Sequence, residues 1–229
     1  MDLVATRETE FSAAVEDYAK AIYALEDAGS GRGAVSTTAL AERLSVTAAS
    51  ASAMMRKLGE LGLVDHVPYK GVRLTPGGMR LALEVLRHHR LLELYLNEAL
   101  GLPWDRVHAE AEVLEHVLSE ELEELIAAKL GHPTRDPHGD PIPSRDLVIE
   151  EVQTQALASV PVGCSGRLVR VSDSDPEMLR YLDERGIRPG DAFTVVERQP
   201  FGGPVFVAFG DEVHPLGGAL ADAMRVEVG

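Results

Sequence analysis

The sequence predicts a mainly α protein with a small β portion: an N-terminal winged helix-turn-helix, a helical middle and a C-terminal SH3-like β-barrel. Three observations predict it. Helical periodicity dominates residues 10–130. A short helix, a tight corner, a second helix and two strands follow one another between 37 and 75. After residue 150 short strands alternate with Gly/Pro turns.

The elements follow in order. Residues 10–28, EFSAAVEDYAKAIYALEDA, set Val15, Tyr18, Ala19, Ile22 and Leu25 on one helical side, and GSGRG at 29–33 ends that helix. Ser36 or Thr37 caps a short helix, TTALAERL. Ser45-Val46 makes a tight corner, and a third helix runs from about Thr47 to Leu61 with Met54, Met55, Leu58 and Leu61 inward. Residues 62–75, GLVDHVPYKGVRLT, read as two short strands around Tyr69-Lys70-Gly71. Such a unit places its last helix in a major groove and its hairpin on the DNA backbone. The predicted boundaries are 1–76 for this DNA-binding domain, 77–146 for a helical domain and 147–229 for the barrel.

Residues 78–130 read as two long helices broken near Gly101-Leu102-Pro103. The second, from about Asp105 to Leu130, carries Val107, Ala111, Leu114, Leu118, Leu122 and Leu125, a heptad-like stripe long enough to pair with a second copy. A DNA reader that spans two half-sites dimerises, so a homodimer is expected. Residues 131–146, GHPTRDPHGDPIPSRD, form a Pro-rich joint. Beyond it, GRLVRVSD, AFTVVERQ, PVFVAFG and MRVEV read as strands, and PEMLRYLDER as a short helix.

Charge is unevenly spread. The 229 residues hold 37 acidic and 22 basic side chains, a formal −15. Residues 32–80, however, hold seven basic residues (Arg32, Arg43, Arg56, Lys57, Lys70, Arg73, Arg80) against Glu42, Glu60 and Asp65. Nucleic-acid binding depends on such local fields rather than on total charge. The competing reading is an ordinary solvated face. Arg56, Lys57, Lys70 and Arg73 sit where phosphate contacts are expected. The reading face offers Thr47, Ala48, Ala49, Ser50, Ser52 and Ala53, without Arg, Asn or Gln. Bidentate base readout is therefore weak, and DNA shape supplements it.

Other classes fall away. A hydrophobic share of 45% without a long apolar run excludes a disordered tail protein and a membrane span. The N-terminus (Asp2, Arg7, Glu8, Glu10) has no signal-type apolar stretch, so the expected compartment is the cytoplasm. The single cysteine, Cys164, excludes an internal disulfide framework and a Cys-rich zinc module.

Four of the eight histidines lie between residues 88 and 116. In the long helix, His108, Glu112, Glu115 and His116 span about 100° of one face. His89 and Glu93 are likewise one turn apart in the preceding helix. Glu112 and Glu115 repel by a few tenths of a kcal/mol (order of magnitude), and no Lys or Arg stands one turn from either. A divalent ion would turn that repulsion into coordination. The competing reading is a solvated Glu-rich helix, which Glu110, Glu120, Glu121, Glu123 and Glu124 exemplify. Carboxylates with imidazole and no thiolate suit Mn(II), with Fe(II), Co(II) or Zn(II) admissible.

Five stretches resemble the DtxR/MntR family of metal-dependent transcriptional repressors: EDYAKAIYALED, ALAERLSVTAASASAMMRKLGELGLV, HHRLLELYL, VHAEAEVLEHVLSEELE and GDPIPS. The most specific part is His89-x3-Glu93 followed by His108-x3-Glu112-x2-Glu115-His116. The resemblance implies a primary site of Asp17, Glu112, Glu115 and His116, and an ancillary site of His89, Glu93 and His108. In the family's iron-responsive branch the first two primary positions are typically Met and Cys; Asp17 and Glu112 match its manganese branch. The resemblance also implies a double-stranded DNA operator as partner and repression of uptake genes when metal is plentiful. Three positions depart from the pattern. Lys20 stands where some manganese-branch members carry a second carboxylate, Ala53 replaces a reading Gln, and Asp173 or Asp175 align only loosely with barrel ligands, a surface turn being the plainer reading.

The expected mechanism is allosteric, with no catalysis, no membrane and no small organic substrate. Alternatives are an iron-dependent repressor of the same family, a carboxylate/histidine metalloenzyme, and a winged-helix regulator answering an organic ligand.

Overall fold

The computed structural model describes residues 11–28, 33–150 and 152–229. Arg32, most of the GSGRG breaker and the charged N-terminus lie outside the described residues. The chain divides into two compact units. The first takes in the described residues of Met1–His89 together with Val113–Leu125 and Pro143–Val148. The second holds Arg90–Glu112, Ile126–Ile142 and the described residues of Ile149–Gly229.

The first unit begins with α1 (Ala13–Ala28), whose Val15, Tyr18, Ala19 and Ile22 are buried at the predicted spacing. Helix α2 (Thr37–Arg43) is capped by Ser36, whose side chain accepts from Ala39 N. Ser45 turns through a left-handed φ of 53°. Helix α3 (Ala48–Glu60) follows, with Thr47 accepting from Ser50 N as its cap. Ala51, Met55 and Leu58 face the core, and Met54 packs at its margin. Leu61 is exposed rather than inward, because the helix ends there and the residue becomes its C-cap.

Strands β1 (Val64–Val67) and β2 (Gly71–Leu74) form the predicted antiparallel wing. Val35 bridges to Val72, so the chain between α1 and α2 packs on the wing. That close approach requires glycine at 71. Its φ is +121°, and a Cβ there would stand 1.9 Å from the Val35 carbonyl oxygen. Buried Glu26 of α1 accepts from Leu74 N at 2.9 Å, which fixes the wing against the first helix.

Helix α4 (Pro76–Glu98) opens with Pro at its first position, and the Thr75 hydroxyl accepts from Gly78 N. It runs through both units. The single long helix expected over 105–130 is broken instead. Helix α5 (Val107–Leu114) stops, residues 115–117 form a tight turn, and α6 (Glu120–Lys129) starts afresh. Ser119 caps α6, its side chain accepting from Leu122 N. Glu120, Glu121 and Glu123 thus lie in a helix's first turn, where its dipole favours them. The heptad-like stripe is split accordingly: Val107, Ala111 and Leu118 are buried, while Leu114, Leu122 and Leu125 are exposed.

In the second unit a six-stranded antiparallel sheet has the order β3-β8-β4-β5-β6-β7. The strands are β3 (Gln155–Ala156), β4 (Ser165–Val171), β5 (Ala192–Arg198), β6 (Val205–Phe209), β7 (Glu212–Leu216) and β8 (Met224–Val228). Strict alternation in β6 puts Val205, Val207 and Phe209 inward. Helices α7 (Pro176–Asp183) and α8 (Gly218–Ala223) complete this small barrel. Sequence reading overlooked β7, whose Pro215 is tolerated because the strand is an edge.

The Pro-rich segment is an ordered loop. The carboxylate of Asp136 accepts from the backbone N–H groups of His138 and Asp140, folding the chain back on itself.

Candidate metal centres and DNA-reading face

In the first unit, three elements converge on one carboxylate. Glu115 lies in the turn between α5 and α6, with its side chain fully buried. Its Oε1 accepts from Lys20 Nζ of α1 at 2.6 Å, and its Oε2 lies 2.5 Å from His89 Nδ1 of α4. The Glu115 backbone carbonyl, freed by the end of α5, is met by His88 Nδ1 at 3.2 Å. These long-range partners explain the helix break: tertiary contacts outweigh local helical preference. They also correct the sequence argument. No cation stands one turn from Glu115, yet Lys20 reaches it from 95 residues away.

His116, next in the turn, is held from two sides. Its Nδ1 donates to Glu16 Oε2 at 2.6 Å, and its Nε2 faces Asp17 Oδ1 at 3.1 Å. A ligating imidazole is characteristically oriented through its other nitrogen in this way. Ligand atoms of Asp17, Glu115 and His116 all lie within 4.8 Å of one another. Two carboxylate oxygens and one oriented imidazole fit a divalent ion of the harder kind.

The second unit brings together Glu93, His108 and Asp173. His108 Nδ1 lies 3.2 Å from Glu93 Oε1 and 3.1 Å from Asp173 Oδ2. Its pKa is pushed up to about 10 by the hydrogen bonds to Asp173 and Glu93, against the opposing effect of burial. Burial would raise the Asp173 carboxyl, but its hydrogen bond with His108 holds it below the usual value. Two carboxylates that bind a proton on this ring so firmly also suit a metal ion in its place. Asp173, which the sequence offered as a candidate barrel ligand but more plainly as a surface turn, thus joins a cluster of imidazole and carboxylates that could hold an ion.

A further buried group, Glu93, Asp136 and His138, adjoins it. His138 donates through Nε2 to the Trp104 carbonyl at 2.8 Å. Its Nδ1 lies 3.9 Å from Glu93 Oε2, with no hydrogen-bond partner among the described residues. Burial and the neighbouring Asp140 and Glu93 push the Asp136 carboxyl well above its ordinary range. Sequence reading passed over Asp136 and His138, although DPHGD carries both acid and imidazole inside the Pro-rich loop.

Of the seven metal ligands expected from sequence, Asp17, Glu115 and His116 meet in the first unit, and Glu93 and His108 in the second. His89 is engaged with Glu115. Glu112 lies in the second unit, its carboxylate 3.7 Å from His108 Nε2.

The expected DNA contacts share one character. Thr47, Ala49, Ser50, Ser52, Arg56, Lys57, Lys70 and Arg73 are all exposed. Among the described residues the four cations of this set make no ion pair, which leaves their charge available to phosphates. The Thr47 and Ser50 hydroxyls lie 2.9 Å apart at the start of α3, so part of the polar reading surface is tied up in capping.

Comparison with known proteins agrees with this architecture. Residues 10–72 match the iron dependent repressor N-terminal DNA binding domain, 75–144 the iron dependent repressor metal binding and dimerisation domain, and 155–228 the FeoA domain. The chain is 32% identical to the iron-dependent repressor IdeR of Mycobacterium tuberculosis H37Rv over 93% of its own length and 96% of that protein. It is 36% identical to the diphtheria toxin repressor of Corynebacterium diphtheriae, with the same coverage. A solved manganese-dependent transcriptional repressor in complex with manganese superposes with a TM-score of 0.86 and 43% identity, covering 94% of this chain and all of that one. The manganese regulator SloR superposes at 0.73 with 31% identity, covering 94% of this chain and 98% of that one. Domain order, the carboxylate and imidazole clusters and near full-length similarity converge: the chain belongs to the DtxR/MntR family of metal-dependent, DNA-binding transcriptional repressors.

Proposed function

We propose that the protein represses transcription in response to Mn(II), which joins Asp17 of α1 to Glu115 and His116 and thereby fixes the reading helix on a homodimer. One observation carries this reading: three ligand types suited to a hard divalent ion, from segments about a hundred residues apart in sequence, converge within 4.8 Å. The ion supplies a charge that three side chains from two elements share. The chain does the rest. Glu16 orients His116, and His88 and His89 hold the 115–116 turn against α4.

The exposed apolar residues Val113, Leu114, Val117, Leu122 and Leu125 flank that turn and form the pairing surface between copies. Position of α1 relative to this surface sets how far apart two reading helices stand, and successive major grooves require about 34 Å. Metal selects the competent arrangement, and by linkage DNA tightens metal binding equally. We further propose Glu93, His108 and Asp173, with Asp136 and His138 beside them, as a second metal-binding region. The ligand role expected of Glu112 and His89 is tested separately by alanine substitution.

Oxygen and nitrogen donors without thiolate or thioether favour manganese, and the manganese-complexed neighbour points the same way. The iron-dependent relatives make Fe(II) the second reading. Titrating Mn(II), and Fe(II) without oxygen, into an operator-binding assay tests both. The expected result is tight binding with Mn(II) and loss of binding with chelator. Equal DNA affinity in the two conditions would refute the switch.

A further inference from the structure

The carboxylate that anchors the proposed metal centre already holds a cation. Glu115 is fully buried, and a buried carboxylate without a counter-charge is strongly unfavourable. Lys20 supplies that charge at 2.6 Å from Oε1, while His89 meets Oε2. Lys20 stands three residues after Asp17 on α1, so the two side chains share one helical face. Oε1, the oxygen that Lys20 holds, is also the one that lies 3.6 Å from His116 Nε2, the nitrogen facing Asp17. The ammonium and the proposed ion thus draw on one oxygen atom.

We propose that Lys20 is the resident cation of the metal-free site and a determinant of its metal threshold. It neutralises Glu115 before metal arrives and yields Oε1 when a divalent ion binds. The inference rests on the metal reading above. Two consequences follow from charge alone. In the metal-free site Glu115 never stands uncompensated. The entering ion must break a short charge-assisted hydrogen bond and displace a like charge, so binding is weaker than the three ligands alone would give. A divalent charge that gathers Asp17, Glu115 and His116 prevails over the ammonium only above a set concentration. A lysine that merely positioned Glu115 for the ion would have the opposite effect on affinity.

The test uses the full chain as wild type, Lys20→Met, Lys20→Arg and Glu115→Gln, with Mn(II) affinity read by calorimetry and thermal melting read with and without Mn(II). Lys20→Met is expected to bind Mn(II) about tenfold more tightly, to melt lower without metal and to match wild type when loaded. Lys20→Arg, which keeps the charge, is expected to stay near wild type. Weaker or unchanged Mn(II) binding by Lys20→Met, with Glu115→Gln still defective, overturns the role of Lys20 alone. Glu115→Gln binding as wild type does overturns the metal reading itself. Should the Met variant not fold without metal, Lys20→Gln, which keeps a donor but no charge, must show the same tightening or the proposal fails.

Discussion

Glu16 shows how a residue outside the ligand set governs it. Its carboxylate accepts from His116 Nδ1 at 2.6 Å, which presents Nε2 toward Asp17. Glu16→Ala is expected to weaken Mn(II) binding by about tenfold, the usual effect of losing a partner that orients a ligating histidine, while leaving the fold intact. Calorimetry on the variant checks it, and undiminished affinity would remove Glu16 from the account. Asp17 was legible only through the family resemblance of EDYAKAIYALED, not through any spacing on α1. The partners of Lys20 and His116 were not legible, because they lie 95 and 100 residues distant and no local period encodes them.

At the scale of elements, the link between α4 and α6 is a buried ionic contact. Glu123 Oε1 accepts from Arg87 Nε at 2.6 Å, Oε2 lies 2.9 Å from His88 Nε2, and Arg87 Nη1 also donates to the Pro143 carbonyl. Burial alone would raise the Glu123 carboxyl, but His88 and Arg87 hold it below its ordinary value. Its folded pKa is therefore depressed. The stabilisation is complete above the ordinary carboxylate range and disappears as pH falls through the folded value. Glu123→Gln is expected to cost about 3 kcal/mol at neutral pH and progressively less in acid, because the wild type then loses the same contact. Melting temperatures of both proteins from neutral pH to pH ~3 should converge; a constant gap would show that Glu123 contributes packing rather than charge. The cap of α2 and the turn of the wing were readable from Ser36 and Gly71, since they depend on neighbours in the chain, whereas Thr47 was read as the start of α3 and not as its cap. The break between α5 and α6 was not readable. Its only local sign is Ser119 ahead of an acidic turn, which a continuous Glu-rich helix also accommodates.

For the whole molecule, the decisive features are a basic reader on an acidic chain and an apolar surface next to the proposed metal turn. Val117 is among the most exposed large hydrophobic residues and directly follows His116. Val117→Asp is expected to shift the protein from dimer toward monomer in sedimentation velocity, and to lower operator affinity even with saturating Mn(II). A dimer of undiminished strength would place the pairing surface elsewhere. Architecture was legible at this scale because helical and strand periods segregate cleanly along the chain. The proposed second metal-binding region was not, since Asp173 comes from a Ser/Asp turn and Asp136 and His138 from a Pro-rich loop. Only tertiary packing turns such surface-like segments inward. Metal control of DNA binding depends on the Asp17/Glu115 pair. Operator binding by an Asp17→Ala/Glu115→Ala variant should be weak and independent of Mn(II); binding that still required manganese, as in the wild type, would contradict it.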